Sequence, residues 1–373
     1  MADNTRLGLA KNAKRDEFYT QYSDIEAEMN AYVEYNPDVF RNKTILLPCD
    51  DPEWSNFTKY FANNFERFGL KKLISTSFAK GSGNLQLTLF EMESPLYDEE
   101  LHDTHGKLFT LTHDTNGSGS IDSDDIEFSG YLKGDGDFRS DEVRALRDES
   151  DLIITNPPFS LFREFLCWIM EADKKFIIVA NQNAITYKEV FPLLKENKMW
   201  LGQGFKSNVG YFSAPMYEDY ATAGQHKEGY IRVSGVMWFT NIDLSKRHKF
   251  LEMDTLEHNL KYNKKLRKKL ESEYGIIEYP HYDNYNAIEV PFTECIPSNY
   301  NGVMGVPITF MDKYNPEQFE IVWQASGNTR ASAPKSVLKE LNYTKHDEDR
   351  GGCSVVHGKR TYGRILIRLK KGV

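Results

Sequence analysis

Long hydrophobic runs are missing from this sequence. No stretch of about 18 apolar residues occurs, so no bilayer-crossing helix is expected. The opening residues MADNTRLGLAKNAKRDEF lack the apolar middle of a signal peptide, and a cytoplasmic protein is expected. Cysteine is scarce as well: Cys49, Cys167, Cys295 and Cys353 stand far apart and form no CxxC pair. That excludes a disulfide framework and a cysteine zinc site as expectations, and no metal is assigned. An excess of positive charge is also absent, since 46 Lys and Arg face 55 Asp and Glu for a net −9. The balance argues weakly against nucleic acid, but an average over the surface leaves room for local basic patches.

What is present is an ordinary globular composition, 40% hydrophobic and 13% aromatic over 373 residues, enough for one large or two modest domains. Strand patterns alternate with helix patterns. KTILLPCD reads as a strand, SNFTKYFANNFERFGL as a helix capped by Ser55 with Gly69 near its end, and KKLISTSF as a second strand. LFTLTHDTNGSGSIDSDDIEF reads as a hairpin, and SDEVRALRDES as a short helix capped by Ser140. DLIIT, SLFREFLCWIMEAD, KKFIIVANQ and TYKEVFPLLKENK continue strand, helix, strand, helix, and MWLGQGF and GVMWFTNID read as two more strands. Such alternation predicts an α/β domain over residues 1–250, a doubly wound Rossmann-like sheet with ligands at the carboxyl ends of its strands. The alternation stops there, and residues 251–373, tyrosine-rich and basic in patches, are expected to form a second region.

The strand ends collect polar residues. Asp50 and Asp51 follow the first strand, Asp135 and Asp137 another, and Asn156 a third. Carboxylates so placed can accept hydrogen bonds from ribose hydroxyls or an adenine amino group. The turn CDDPEWSNF has no glycine, and without a glycine-rich turn a dinucleotide is a poor fit. A cofactor without phosphates, such as S-adenosylmethionine, remains compatible. The bland reading is that the two aspartates start a turn and cap the helix.

DLIITNPPFS then poses the sharper question. Two prolines cannot extend a sheet ladder, and Pro157 also restricts Asn156. The Asn156 amide and the Pro157 carbonyl are thus two rigid acceptors just past a buried strand, suited to an exocyclic NH₂ group with two donors. Accepting from both hydrogens favours the pyramidal geometry in which the nitrogen lone pair can attack a methyl sulfonium. Phe159 can stack on the base. A proline-rich strand terminator is the alternative without chemistry.

Beyond that tetrapeptide the chain resembles the EcoRI-type adenine-specific DNA methyltransferases, the modification partners of restriction systems. The resemblance runs through DEFYTQYSDIE, CDDPEWSNFTKYFANNFERFGLKKLIS, GDGDFRS, TNPPFSLFREFL, ITYKEVF, YDNYNAIEV and YNGVMGVPITFMDKYNPEQFEI. NPPF belongs to many amino-methyltransferases, whereas the glycine-free CDDP turn and NGVMGVPITF are more specific. The resemblance implies that Asn156, Pro157, Pro158 and Phe159 hold a flipped adenine. It implies that Phe18, Tyr19 and Thr20, with Asp50 and Asp51, bind S-adenosylmethionine, and that Asp137 and Phe138 flank its adenine. Little matches near residues 85–128 and 331–352.

Double-stranded DNA as partner requires local cations. KYNKKLRKKLE supplies Lys264, Lys265, Arg267 and Lys268 on a basic helix pattern; Lys11, Lys14 and Arg15, and GKRTYGRILIRLKK, make further patches. Asn299, Asn301 and Arg330 are candidates for base reading. DTNGSGSIDSDD, Asp114 to Asp125, has the spacing of a calcium loop, but its twelfth residue is Asp and its flanks read as strands, so a polar hairpin tip is expected. The reading is a site-specific DNA adenine-N6 methyltransferase using S-adenosylmethionine, with GAATTC, the namesake's site, as first candidate target. A monomer is permitted, and a cognate restriction endonuclease need not bind it. The alternatives are another NH₂ substrate (cytosine N4, RNA adenine, protein glutamine) or a DNA-binding module without catalysis.

Overall fold

The computed structural model describes residues 19–48, 50–52, 55–79, 94–206, 209–213 and 230–370. The chain forms two compact units. The first comprises Met1–Asn181 and Leu201–Leu244, and the second Gln182–Trp200 and Ser245–Val373.

The first unit is built on strands β1 (Tyr19–Thr20), β2 (Thr44–Leu47), β3 (Lys72–Thr76), β4 (Lys107–Leu111), β5 (Glu127–Tyr131), β6 (Leu152–Thr155) and β7 (Lys175–Asn181). They are followed by β8 (Trp200–Leu201), β9 (Val209–Ser213), β10 (Tyr230–Ser234) and β11 (Val236–Thr240). The large sheet has the order β5-β4-β3-β2-β6-β7-β11-β8. Its centre, β3-β2-β6-β7, is parallel. These strands have apolar centres, and Ile45, Leu46, Ile74, Ile153, Ile154, Ile177 and Ile178 are buried to 1% exposure or less, as parallel strands covered on both faces require.

The fold is mixed α/β, and the sheet expected from the alternation of strands and helices carries antiparallel strands at its flanks. β4 and β5 form the hairpin legible in the sequence and add antiparallel to β3, while β11 adds antiparallel to β7. A hairpin needs only a turn, whereas a parallel addition needs a crossover. A separate antiparallel sheet, β1-β9-β10, went unread because β1 has two residues.

Capping hydroxyls start two of the helices read from the sequence. Ser55 accepts from Phe57 N and Thr58 N at the Asn56–Asn63 helix, and Ser140 accepts from Val143 N at Asp141–Glu149. The expected single helix from Ser55 to Leu70 is broken at Asn64, and its second piece, Phe65–Phe68, ends on Gly69 at φ 61°. The segment TYKEVFPLLKENK is helical only over Phe191–Lys195, because Pro192 lacks the N–H a longer helix would need and so sits in the first turn.

In the second unit a four-stranded sheet has the order β12 (Ala287–Glu289), β13 (Val303–Pro307), β17 (Arg364–Leu369), β14 (Phe319–Ala325). Only β12 and β13 pair in parallel. A hairpin of β15 (Val355–Val356) and β16 (Lys359–Arg360) precedes β17. Gly305 in NGVMGV is dictated by packing: a Cβ there would lie 1.9 Å from the Tyr282 hydroxyl. That hydroxyl donates to Glu289, which also holds Arg364 by two nitrogens in a buried pair.

Candidate active site

Four segments of the first unit converge at the carboxyl ends of β2, β3 and β6. After β2 the chain turns at Asp50, whose side chain is buried at 5% exposure. Its Oδ1 accepts from Ser55 Oγ at 2.7 Å and its Oδ2 from Thr155 Oγ1 at 2.6 Å. Its backbone N–H donates to Thr76 O at 2.7 Å, and its carbonyl accepts from Thr58 Oγ1 and Ser75 Oγ. One aspartate thus ties together the ends of three adjacent strands and the cap of the Asn56–Asn63 helix. Asp51 is half-buried, and its carbonyl accepts from Ser55 N.

Thr155 is also the residue before the tetrapeptide, so Asp50 is one hydrogen bond from Asn156. Asn156 is half-buried with its Oδ1 inside, Pro157 is buried, and Pro158 and Phe159 are half-buried. The Pro158 carbonyl accepts from Leu161 N at 2.9 Å and turns the chain toward the Phe162–Glu171 helix. The Phe159 ring meets Phe212 of β9 edge-on, with centroids 6.4 Å apart. β9 pairs with β1, placing Thr20 opposite Phe212 and Tyr19 opposite Ser213. The Thr20 carbonyl accepts from Asn56 Nδ2 at 2.8 Å, and the Gln21 amide donates to Tyr211 O. Sheet β1-β9-β10 thereby joins the cofactor segment expected from the sequence to the tetrapeptide. Phe18 lies outside the described residues.

The GDGDF turn is fixed by close backbone approach. Gly136 has φ 85°, and a Cβ on it would stand 2.3 Å from Ser77 O. Asp137 is gripped by Arg139, which donates from its backbone N, Nε and Nη2, and whose Nη1 reaches Glu164 at 2.9 Å. Phe138 is 3% exposed and packs edge-on against Phe165 and Trp168, so its ring belongs to the core behind the turn.

The profile of the family described as adenine-specific methyltransferase EcoRI matches residues 6–370. The chain belongs to the EcoRI-type adenine-specific DNA methyltransferases. The type II methyltransferase M.EcoRI of Escherichia coli is 41% identical over 99% of this chain and 98% of its own length. M.MpnI of Mycoplasma pneumoniae is 31% identical over 98% of each chain. No solved structure matches. The methyltransferase therefore acts on adenine in DNA, and its family implies S-adenosylmethionine as methyl donor.

The DNA-contact candidates among the described residues fall in the second unit and are unequal, while Lys11, Lys14 and Arg15 lie outside the described residues. The basic pattern is two helices, Leu256–Tyr262 and Lys264–Tyr274, because Asn263 leaves the helical conformation and caps the second by accepting from Leu266 N. Lys264, Lys265, Arg267 and Lys268 are exposed on it, with Leu266 and Leu270 turned inward. Lys265 pairs with Glu294 at 2.7 Å and lies over the Phe292 ring. Asn301 is exposed. Asn299 is committed to the Leu256–Tyr262 helix, bonding Leu256 N and Glu257. Arg330 pairs with the buried Asp349, which also accepts from Tyr343 at 2.5 Å.

The calcium-like loop turns its carboxylates on its own backbone. Asp114 accepts from the amides of Gly117, Ser118 and Gly119. Asp125 accepts from those of Thr115, Asn116 and Asp122. Among the described residues, no group of three or more His, Cys, Asp or Glu side chains is placed to hold a metal. No described helix is long and apolar enough to cross a membrane.

Sequence reasoning missed Thr155 and Phe212. A threonine ending an apolar strand looks like β-propensity, and Phe212 is linked to the tetrapeptide only through folding.

Proposed function

We propose that this methyltransferase transfers a methyl group from S-adenosylmethionine to N6 of an adenine flipped out of a double-stranded site. The observation that carries the reading is the Asp50–Thr155 hydrogen bond, which couples the first turn to the residue before Asn156. The cofactor fits on a second observation: Thr20 Oγ1 is buried and has no partner among the described residues, which leaves a hydroxyl for a ligand. Tyr19, Thr20, Asp51 and Asp137 would hold the cofactor, with Asp50 setting the turn. When bound, it supplies an electrophilic methyl on a sulfonium.

The chain's own residues orient the nucleophile. The Asn156 Oδ1 and the Pro157 carbonyl accept the two N6 hydrogens, and Phe159 stacks on the ring. Fixed acceptors stabilise the positive charge that grows on nitrogen during attack, and one N6 proton departs after transfer. No strong base is required beforehand. The first unit, taken as a doubly wound Rossmann-like core, performs this chemistry. The second unit serves as the target-recognition region on the strength of its exposed cations. The reading is of a cytoplasmic enzyme with GAATTC or a related site as first candidate target; it permits a monomer, and a cognate restriction endonuclease need not bind it stably.

The test is expression in a bacterial host lacking its own DNA methylation, with modified bases mapped by single-molecule sequencing. N6-methyladenine at one short motif is expected. An unmodified genome, with a folded protein that binds S-adenosylmethionine, would overturn the assignment and point to an RNA or protein amide.

A further inference from the structure

The most exposed large apolar side chain among the described residues is Tyr362, at 90%; Tyr262 follows at 57%. Tyr362 stands two residues past the β15–β16 hairpin, whose tip presents His357, Lys359 and Arg360 to solvent. From Val355 to Lys371 the sequence contains no acidic residue. The neighbouring cations are neutralised: Arg364 by Glu289, and Arg368 by Glu320 and Glu340. Lys359 and Arg360 make no ion pair among the described residues.

The mount is rigid. His357 and Gly358 have φ of 47° and 71°, the two-residue turn that matches strand twist in a tight hairpin. The Gly358 N–H donates to Asp283 at 2.7 Å, and the Asp283 N–H donates to Val355 O at 2.8 Å. Asn284 brackets the same strand, accepting from Val355 N at 3.0 Å and donating to Cys353 O at 2.9 Å. On the far side, Thr361 bonds Ser354 through backbone and hydroxyl, which fixes the residue just before Tyr362. His357 meets Tyr274, the last residue of the basic helix, edge-on at 5.9 Å. A bare aromatic ring two residues from a pair of cations without ion pairs, just past a stiff hairpin, has no folding role to explain it.

We propose that this hairpin and Tyr362 form a DNA-docking element, with Lys359 and Arg360 on phosphates and the Tyr362 ring stacked on bases of the bound duplex. Cations position the element without reading sequence. An aromatic side chain gains most where a base step is unstacked, as at a distorted recognition site. The proposal rests on the DNA-methyltransferase reading and names a contact surface for it.

The test uses the full chain and, as probes, a fluorescent duplex carrying the methylated motif and a scrambled duplex, at several salt concentrations. Thermal unfolding and S-adenosylmethionine binding confirm that each variant is intact. The double change Lys359→Ala with Arg360→Ala is expected to weaken both duplexes alike and to reduce the salt slope by about 1 to 2. Tyr362→Ala is expected to weaken the motif duplex about tenfold with the slope unchanged, while Tyr362→Phe keeps the affinity. Charge reversal, Lys359→Glu with Arg360→Glu, should deepen the first effect. Wild-type affinity and slope in all of these variants overturns the proposal while leaving the activity reading intact. A wild-type chain that binds duplexes through this hairpin yet methylates no DNA overturns the activity reading alone.

Discussion

Asp50 shows how a single side chain can serve a reaction without touching the reacting atoms. Its two oxygens accept hydroxyl donors from the first helix cap and from β6, so it fixes the turn and the residue before Asn156 together. Asp50→Ala leaves Ser55 and Thr155 hydroxyls buried without that acceptor, and a loss of about 1–3 kcal/mol is expected in urea unfolding. The same variant should raise the Kd for S-adenosylmethionine, read by calorimetry. Asn156→Ala is different in kind: transfer should fall by at least about 10²-fold, with cofactor and duplex binding kept. Full single-turnover activity in that variant would remove Asn156 from the mechanism. Both expectations concern residues legible in the sequence, since a strand pattern running into Asn-Pro-Pro marks its own end. The edge-on packing of Phe138 against Phe165 and Trp168 was not legible in the sequence, since it joins residues 27 and 30 positions apart.

Among elements, turns carry the strongest constraints. Gly136→Ala adds a Cβ against the Ser77 carbonyl at a positive φ, where neither the backbone nor its neighbour can give. The expected outcome is a lower melting temperature and weaker cofactor binding, because Asp135 and Asp137 flank this glycine. The Asp114–Asp125 loop makes a second case. Burial opposes the charge on Asp125, but amides of Asp122, Thr115 and Asn116 and the Thr115 hydroxyl outweigh it and hold the carboxyl below its usual range. The loop is therefore closed by its own amides, and titration with Ca²⁺ should show no heat at millimolar metal.

For the molecule as a whole, stability depends on such depressed carboxyls. Asp349 is held low as well: burial opposes its charge, while the Tyr343 hydroxyl, the His346 and Gly351 amides and Arg330 outweigh burial. A carboxyl whose folded value lies below the unfolded one stabilises fully above the unfolded value of about 3.9 and progressively less as pH falls through the folded one. Melting temperatures should be flat near neutrality and drop below about pH 4, and Asp349→Asn should flatten that drop. Melts that fall between pH 7 and 5 would contradict this origin. Glu289→Ala should cost about 3–5 kcal/mol, since it strands the buried Arg364 guanidinium.

The sequence by itself determined the parallel centre of the first sheet, its helix caps, the β4–β5 hairpin and the tetrapeptide. Each of these follows from local periodicity, a capping hydroxyl or a proline. Tertiary structure alone decided the antiparallel additions at the sheet's flanks, the placing of β1 beside β9 and the partners of Arg330, Asn299 and Arg364. It also decided that Lys359, Arg360 and Tyr362 stay bare on a rigid hairpin. The physical reason is that hydrogen bonds and ion pairs between residues distant in the chain depend on which backbone segments fold together. Apolar periodicity specifies which face of a strand is buried, but not which neighbour lies against it.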